Sequence, residues 1–136
     1  MTIVIEDVSA ERLRSTPVAW LTTVRRDGQP QTSYIWFHYD GQDIVLVSQP
    51  SAPKLRNIGG NPKVSFHLDG DTATGGGVLT IEATAEITGE MTSERWAAYL
   101  TKYESQIGKG PWGTPDAFLA DFSTVIRLVL TRVRAW

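Results

Sequence analysis

The chain has 136 residues, 41% of them hydrophobic, with 13 basic and 15 acidic side chains and a net charge of −2. That length suits a single domain spanning residues 1–136 with a core of its own, and the slightly acidic balance excludes a protein that holds nucleic acid by neutralising many phosphates. With no cysteine, a disulfide frame, a thiolate nucleophile and a thiolate metal site are excluded as well.

The opening segment MTIVIEDVSAERL contains acidic residues and no apolar run of signal-peptide length. Nowhere does the chain reach the roughly eighteen consecutive apolar residues of a membrane-spanning helix, so a cytoplasmic protein with no membrane partner is expected. Ser9 to Ser15 suits a short helix, and Pro17 then imposes the extended backbone that opens a first strand, Val18 to Arg25, bounded by the turn Asp27-Gly28. In a second strand, Gln31, Ser33, Ile35, Phe37 and Tyr39 share one face and Thr32, Tyr34, Trp36 and His38 the other. That second face is too polar for a core and too aromatic for open water.

Asp40-Gly41 between two period-2 runs is a hairpin signal. The third strand, Asp43 to Ser48, is nearly all aliphatic, as a strand covered on both faces would be. A short helix follows, for which Ser51 is the expected cap, Pro53 a first-turn residue and Gly59-Gly60 the stop. Its first turn carries Lys54 and Arg56. A helix start offers free N–H groups and partial positive charge, so with these cations and the hydroxyls of Ser48 and Ser51 it has the chemistry of a phosphate pocket. The plainer reading of Lys54 and Arg56 is a pair of solvated surface charges.

Lys63 to Asp69 alternates as a fourth strand, and the glycine-rich run from Gly70 to Gly77 lacks the Lys-Ser/Thr of a phosphate-binding Walker loop. The fifth strand, Val78 to Thr88, sets Leu79, Ile81, Ala83, Ala85 and Ile87 against Thr80, Glu82, Thr84 and Glu86. Trp96, Tyr99, Leu100 and Tyr103 recur at helical spacing behind the cap candidate Thr92. Ser105 to Gly113 reads as a loop carrying Trp112, Thr114-Pro115-Asp116 starts a helical turn, and Thr124 to Val133 is a sixth strand ending in the basic tail of Arg132 and Arg134. Six mostly antiparallel strands with few helices predict a mainly β fold, a small barrel with helical insertions.

Two strands joined by Asp-Gly, then SQPSAPKLRNIGGNPKVSFHLD, then LTIEATAEITGE, and finally IRLVLTRVRAW resemble the pyridoxamine 5′-phosphate oxidase-like split-barrel family. The pattern is similar in particular to its actinobacterial branch of deazaflavin-dependent oxidoreductases. The resemblance implies a six-stranded antiparallel split β-barrel that works as a homodimer, with a flavin or deazaflavin in the groove between subunits. It implies coenzyme F420 as the cofactor, with FMN as the alternative, and hydride transfer to a small unsaturated or quinone-like molecule. It places the cofactor phosphate on Lys54 and Arg56 with Asn57 beneath them, Ser48 and Gln49 at the strand end facing the cofactor, and the ring along Ser33, Tyr34, Ile35 and Trp36. More distantly, it brings Leu79 to Glu82 and Trp112 toward the partner subunit's cofactor. The family's vitamin B6 oxidases are longer and hold their substrate on a basic C-terminal segment that has no counterpart here.

Trp36 suits either core or ring contact. His38 and His67, without cysteines or paired carboxylates at ligand spacing, make a poor metal site. Glu82 and Glu86 read as surface residues, and no catalytic acid or base is singled out. A non-catalytic protein that holds a cofactor or tetrapyrrole is the reading from a different class.

Overall fold

The computed structural model describes residues 3–70, 76–89 and 91–136. Its elements run α1 (Asp7–Ser15), β1 (Ala19–Val24), β2 (Pro30–Ile35), β3 (His38–Tyr39), β4 (Ile44–Ser48), α2 (Pro53–Gly60), β5 (Lys63–Leu68), β6 (Leu79–Thr88), α3 (Ser93–Lys109), α4 (Pro115–Asp121) and β7 (Thr124–Ala135). All seven strands form one antiparallel sheet in the order β2-β1-β5-β6-β7-β4-β3. The two edge strands, β2 and β3, are joined in the chain by only Trp36 and Phe37. Three peptide steps span at most about 11 Å, so the sheet has to curl until its edges nearly meet, which makes it a split barrel. A bulge on β7 assists the curl: Glu82 pairs with Arg132 and Ala83 with Leu130, leaving Thr131 as the extra residue.

The second strand expected from Gln31 to Tyr39 is therefore two strands, which raises the strand count from six to seven. Its first half pairs with β1 and its last two residues with β4. At the break the Phe37 backbone has no ladder partner, and α3 supplies one. Phe37 N–H donates to Tyr103 Oη at 2.9 Å, and Phe37 C=O accepts from Lys102 Nζ at 2.9 Å. Tyr103 Oη also lies 2.5 Å from Pro17 O and 2.9 Å from Phe37 O, so its single proton is shared between two carbonyls. The alternation survives the break: Ile35, Phe37 and Tyr39 are buried, while Tyr34, Trp36 and His38 are not.

Inside the barrel, Leu21, Phe37, Ile44, Leu46, Phe66, Leu79, Ile81, Ile126 and Leu128 form the core, with Leu13 of α1 among them. Every residue of β4 is buried, as its aliphatic run predicts. One face of β4 lines the barrel, and Val47 on the other joins Val125, Tyr99, Tyr103, Ile107 and Phe118 in a second cluster under α3 and α4. Each fully buried aromatic there contributes on the order of 1.5–3 kcal/mol. On β6 the expected core face holds from Leu79 to Ala85, but Ile87 is half exposed.

Local signals are met unevenly. Gly28 and Gly41 take positive φ at the two Asp-Gly turns, where an L side chain would be strained, and Thr92 and Thr114 cap α3 and α4 through their hydroxyls. Ser51 does not cap α2. Ala52 is the capping residue, no side chain bonds the free N–H groups, and Pro53 takes the first turn. Gly59 and Gly60 lie inside α2, which stops at Asn61 ahead of Pro62. Helix α3 continues to Lys109, so much of the expected Ser105–Gly113 loop is helical and places Ile107 in the core. The middle of the glycine-rich run, residues 71–75, lies outside the described residues.

Two outcomes follow from the contacts at the break. Tyr103→Phe keeps the ring but strips the hydroxyl from the Phe37 N–H and the Pro17 carbonyl, and urea unfolding should show a loss of about 1–3 kcal/mol. Lys102, held among carbonyls and ring faces, has its pKa lowered by burial from 10.5 to about 8. Between those values the native chain binds fewer protons than the unfolded chain, so stability rises with pH there. Lys102→Met should lack that rise when the two proteins are unfolded side by side across the window.

Candidate functional site: an aromatic pocket and an arginine groove

Helix α2 turns its two cations to different places, because residues two apart on a 3.6-residue turn lie about 200° apart. Lys54 lines a small pocket of about 140 Å³ with Tyr34, Ile35 and Trp36 of the β2 end, Val47, and an aromatic wall from α3, α4 and the loop between them. That wall is Tyr99, Trp112, Phe118 and Phe122. Arg56 and Asn57 instead line an open groove of about 1200 Å³ with Arg25, Arg26, Gly28 and Gln31 of the β1–β2 hairpin. The expected convergence of Lys54 and Arg56 on one point is thus replaced by two sites at either end of β2. Gln31 to Trp36 separates them by roughly 16 Å at 3.3 Å per residue.

Lys54 is the polar exception in its pocket. It is half-buried, no hydrogen bond or ion pair from the described residues engages it, and burial alone lowers its pKa. A desolvated ammonium without a partner costs free energy that an incoming anion or carbonyl would recover. Trp36 forms the pocket's back: its ring stacks on Tyr103 with centroids 4.7 Å apart and planes at 7°, and meets Trp112 edge-on at 6.0 Å. Trp36 thus packs against the second core and also lines the pocket.

In the groove, Arg25 is paired with Asp27, whose carboxyl is held below its usual range by that contact. Arg26 and Arg56 have no described carboxylate partner. Asn57 serves the scaffold there, its amide donating to Thr23 Oγ1 at 3.0 Å and Gln31 Oε1 at 2.9 Å, which fixes α2 on the hairpin. Ser33 sits half-buried on β2 between the two sites. Ser48 is buried, its hydroxyl donating to Gln49 O at 2.9 Å, and lines neither site. Gln49 donates its amide to Asp121 of α4 at 2.9 Å.

His38 leaves the neighbourhood expected for it. Beyond the strand break it faces a separate groove with Arg14, Asp40, Arg95 and Lys102, and burial followed by the Lys102 charge pushes its pKa down. Glu86 is ion-paired with Arg127, and Glu82 stands opposite Arg132 on the exposed face of the sheet. On that face two cross-strand rows form, Tyr34-Trp20-His67-Thr80-Arg134 and Thr32-Thr22-Ser65-Glu82-Arg132. The Trp20 ring lies 4.3 Å from that of Tyr34 at a tilt of 37°, Tyr34 being 51% exposed, and the Trp20 indole N–H donates to Asp69 at 3.0 Å. No group of three or more possible metal ligands occurs among the described residues, and no described helix is long and apolar enough to cross a membrane.

Sequence reasoning missed Arg25 and Arg26, which stand beside a turn and gain meaning only when α2 packs on that hairpin. It placed Tyr99 on a helix, and a helical turn after Thr114, without bringing either to the site, because nothing local says which strand a helix will cover.

The family model described as pyridoxamine 5′-phosphate oxidase matches residues 5–136. A solved F420 reductase is 28% identical, with 96% of this chain and 98% of that one aligned at a TM-score of 0.72. The conserved hypothetical protein Rv2991 from Mycobacterium tuberculosis is 27% identical over 99% of this chain and 86% of its own, also at 0.72. HutZ, a heme storage protein from Vibrio cholerae, shares the fold at 20% identity, with 95% of this chain and 93% of that one aligned at 0.72.

The unpartnered ammonium yields a prediction for the free protein. Lys54→Met keeps the stem's packing and removes the desolvated charge, so its thermal midpoint at neutral pH should lie above that of the unchanged protein. A lower midpoint would mean that Lys54 has a structural partner.

Proposed function

Because the chain belongs to the pyridoxamine 5′-phosphate oxidase family, we propose that it is an oxidoreductase that binds coenzyme F420 along β2 and reduces a small unsaturated or quinone-like molecule. The observation that carries this is Lys54, a half-buried cation with no partner among the described residues, at an aromatic pocket. In this reading its ammonium takes the cofactor's phosphate. Tyr34, Ile35 and Trp36 receive the ring. The free guanidinium groups of Arg26 and Arg56 take the negative charge that this coenzyme carries beyond its phosphate, a feature FMN lacks. That second set of cations is what favours the deazaflavin over FMN.

The reduced deazaflavin supplies hydride when bound. The protein's own work is positional: the aromatic wall excludes water, β2 fixes the plane of the ring, and Lys54 fixes its distance along the strand. No described acid or base needs to act for that.

A pocket of about 140 Å³ is close to the ~150 Å³ cavity that holds a single benzene, so a tricyclic ring is only partly housed by one chain. This supports a homodimer in which the exposed rows around Trp20 and Tyr34 face a second copy and close the groove. Those rows carry several hydroxyls and both an acid, Glu82, and bases, Arg132 and Arg134, so the face suits pairing with itself.

Fluorescence and calorimetric titrations with coenzyme F420 and with FMN test the reading. Saturable binding of the deazaflavin at micromolar concentration is expected, weakened roughly 10–100-fold in Lys54→Met by loss of a charge-assisted contact of about 1.5–3 kcal/mol. Tighter binding of FMN would reassign the cofactor, and binding of neither would end the proposal.

A further inference from the structure

Two donors flank the aromatic pocket from segments far apart in the chain. One is the Gln49 side-chain amide at the end of β4, and the other is the Trp112 indole N–H in the loop between α3 and α4. Asp121, the last residue of α4, accepts one with each carboxylate oxygen: Gln49 Nε2 to Oδ1 at 2.9 Å and Trp112 Nε1 to Oδ2 at 2.9 Å. Asp121 makes no ion pair with a described cation, so both oxygens are committed to these neutral donors.

The indole so held is constrained from other sides as well. A Cβ at Gly110 would fall 2.8 Å from two of its ring carbons, so the backbone at Gly110 lies close against the ring. Its edge meets Phe118 at 5.0 Å and 85°, and Phe122 at 5.6 Å and 81°. These contacts are apolar and leave the ring's in-plane orientation to the one directional bond it makes. Trp112 is at once a wall of the pocket and a loop residue, since α3 has ended and α4 has not begun.

We propose that Asp121 is a positioning residue, which locks Trp112 and Gln49 together so that the pocket is closed on one side and admits only a flat ring beside Trp36. The inference deepens the proposed function and rests on that reading for the identity of the ring. Asp121 does not itself line the pocket and acts through the two side chains it holds, of which Trp112 is the one in the pocket wall.

The test uses the full chain as Asp121→Ala, Trp112→Phe and the double variant, with Asp121→Asn in reserve should the alanine variant fail to fold. In Asp121→Asn one acceptor becomes a donor that faces a donor. In ligand-free protein the Trp112 indole N–H signal is assigned by its absence from Trp112→Phe, and its hydrogen exchange is expected to be at least tenfold faster without the carboxylate. In titrations with coenzyme F420 and FMN, Asp121→Ala is expected to bind about tenfold more weakly, and the double variant no more weakly than Trp112→Phe alone. A residue that merely stabilised the fold would lower the thermal midpoint and give additive losses, which would overturn the inference. So would unchanged indole exchange. If the unchanged protein binds neither cofactor, the functional reading fails, and the exchange measurement still decides whether Asp121 holds Trp112.

Discussion

The structure depends on how a sheet is closed where no ladder can close it. Between Ile35 and His38 the chain passes from one edge of the sheet to the other, and Phe37 has neither edge to bond to. A buried backbone amide left in that state costs a few kcal/mol. Tyr103 and Lys102, adjacent on α3, take the Phe37 N–H and C=O respectively. The same Tyr103 ring stacks on Trp36, so the contact that seals the barrel also sets the back of the aromatic pocket. Scaffold and candidate site share one anchor, which explains why α3 is the long helix and why it lies across this seam.

Much of the local structure was legible from neighbouring residues. The Asp-Gly turns, the fully covered third strand, the threonine caps and the alternation on the fifth strand are decided within a few positions, and the resemblance fixed the split-barrel architecture. What local pattern could not reveal was the break at Trp36-Phe37, because alternation continues through it while the partner strand changes. Nor could it show that α3 runs on to Lys109. Gly108 reads as a stop, but the burial of Ile107 against the second core outweighs the roughly 1 kcal/mol that a helical glycine costs.

The candidate site was legible in part of its membership and not in its arrangement. Tyr34, Ile35, Trp36 and Lys54 come together, whereas Arg56 and Asn57 face the β1–β2 hairpin and Ser48 is spent inside the backbone. The helix's own periodicity separates Lys54 from Arg56, a constraint present in the sequence once α2 is accepted as helical. The aromatic wall of Tyr99, Trp112, Phe118 and Phe122 comes from later elements, so its presence opposite β2 is a tertiary fact. The result is a division of charge along one strand: a single half-buried ammonium where the pocket is small and aromatic, and exposed guanidiniums where the groove is open. Desolvated charge binds strongly at short range, and exposed charge attracts at modest cost. A cofactor with a flat ring, an internal phosphate and further negative charge beyond it matches that gradient.

Whether this gradient is a cofactor site can be seen in a crystal structure of the protein grown with coenzyme F420. The account predicts a dimer with phosphate oxygen within hydrogen-bonding distance of Lys54 Nζ, the ring against Tyr34 to Trp36 and the outer carboxylates toward Arg26 and Arg56. A bound cofactor seated away from β2, or a Lys54 side chain turned out into water with the pocket empty, would contradict it.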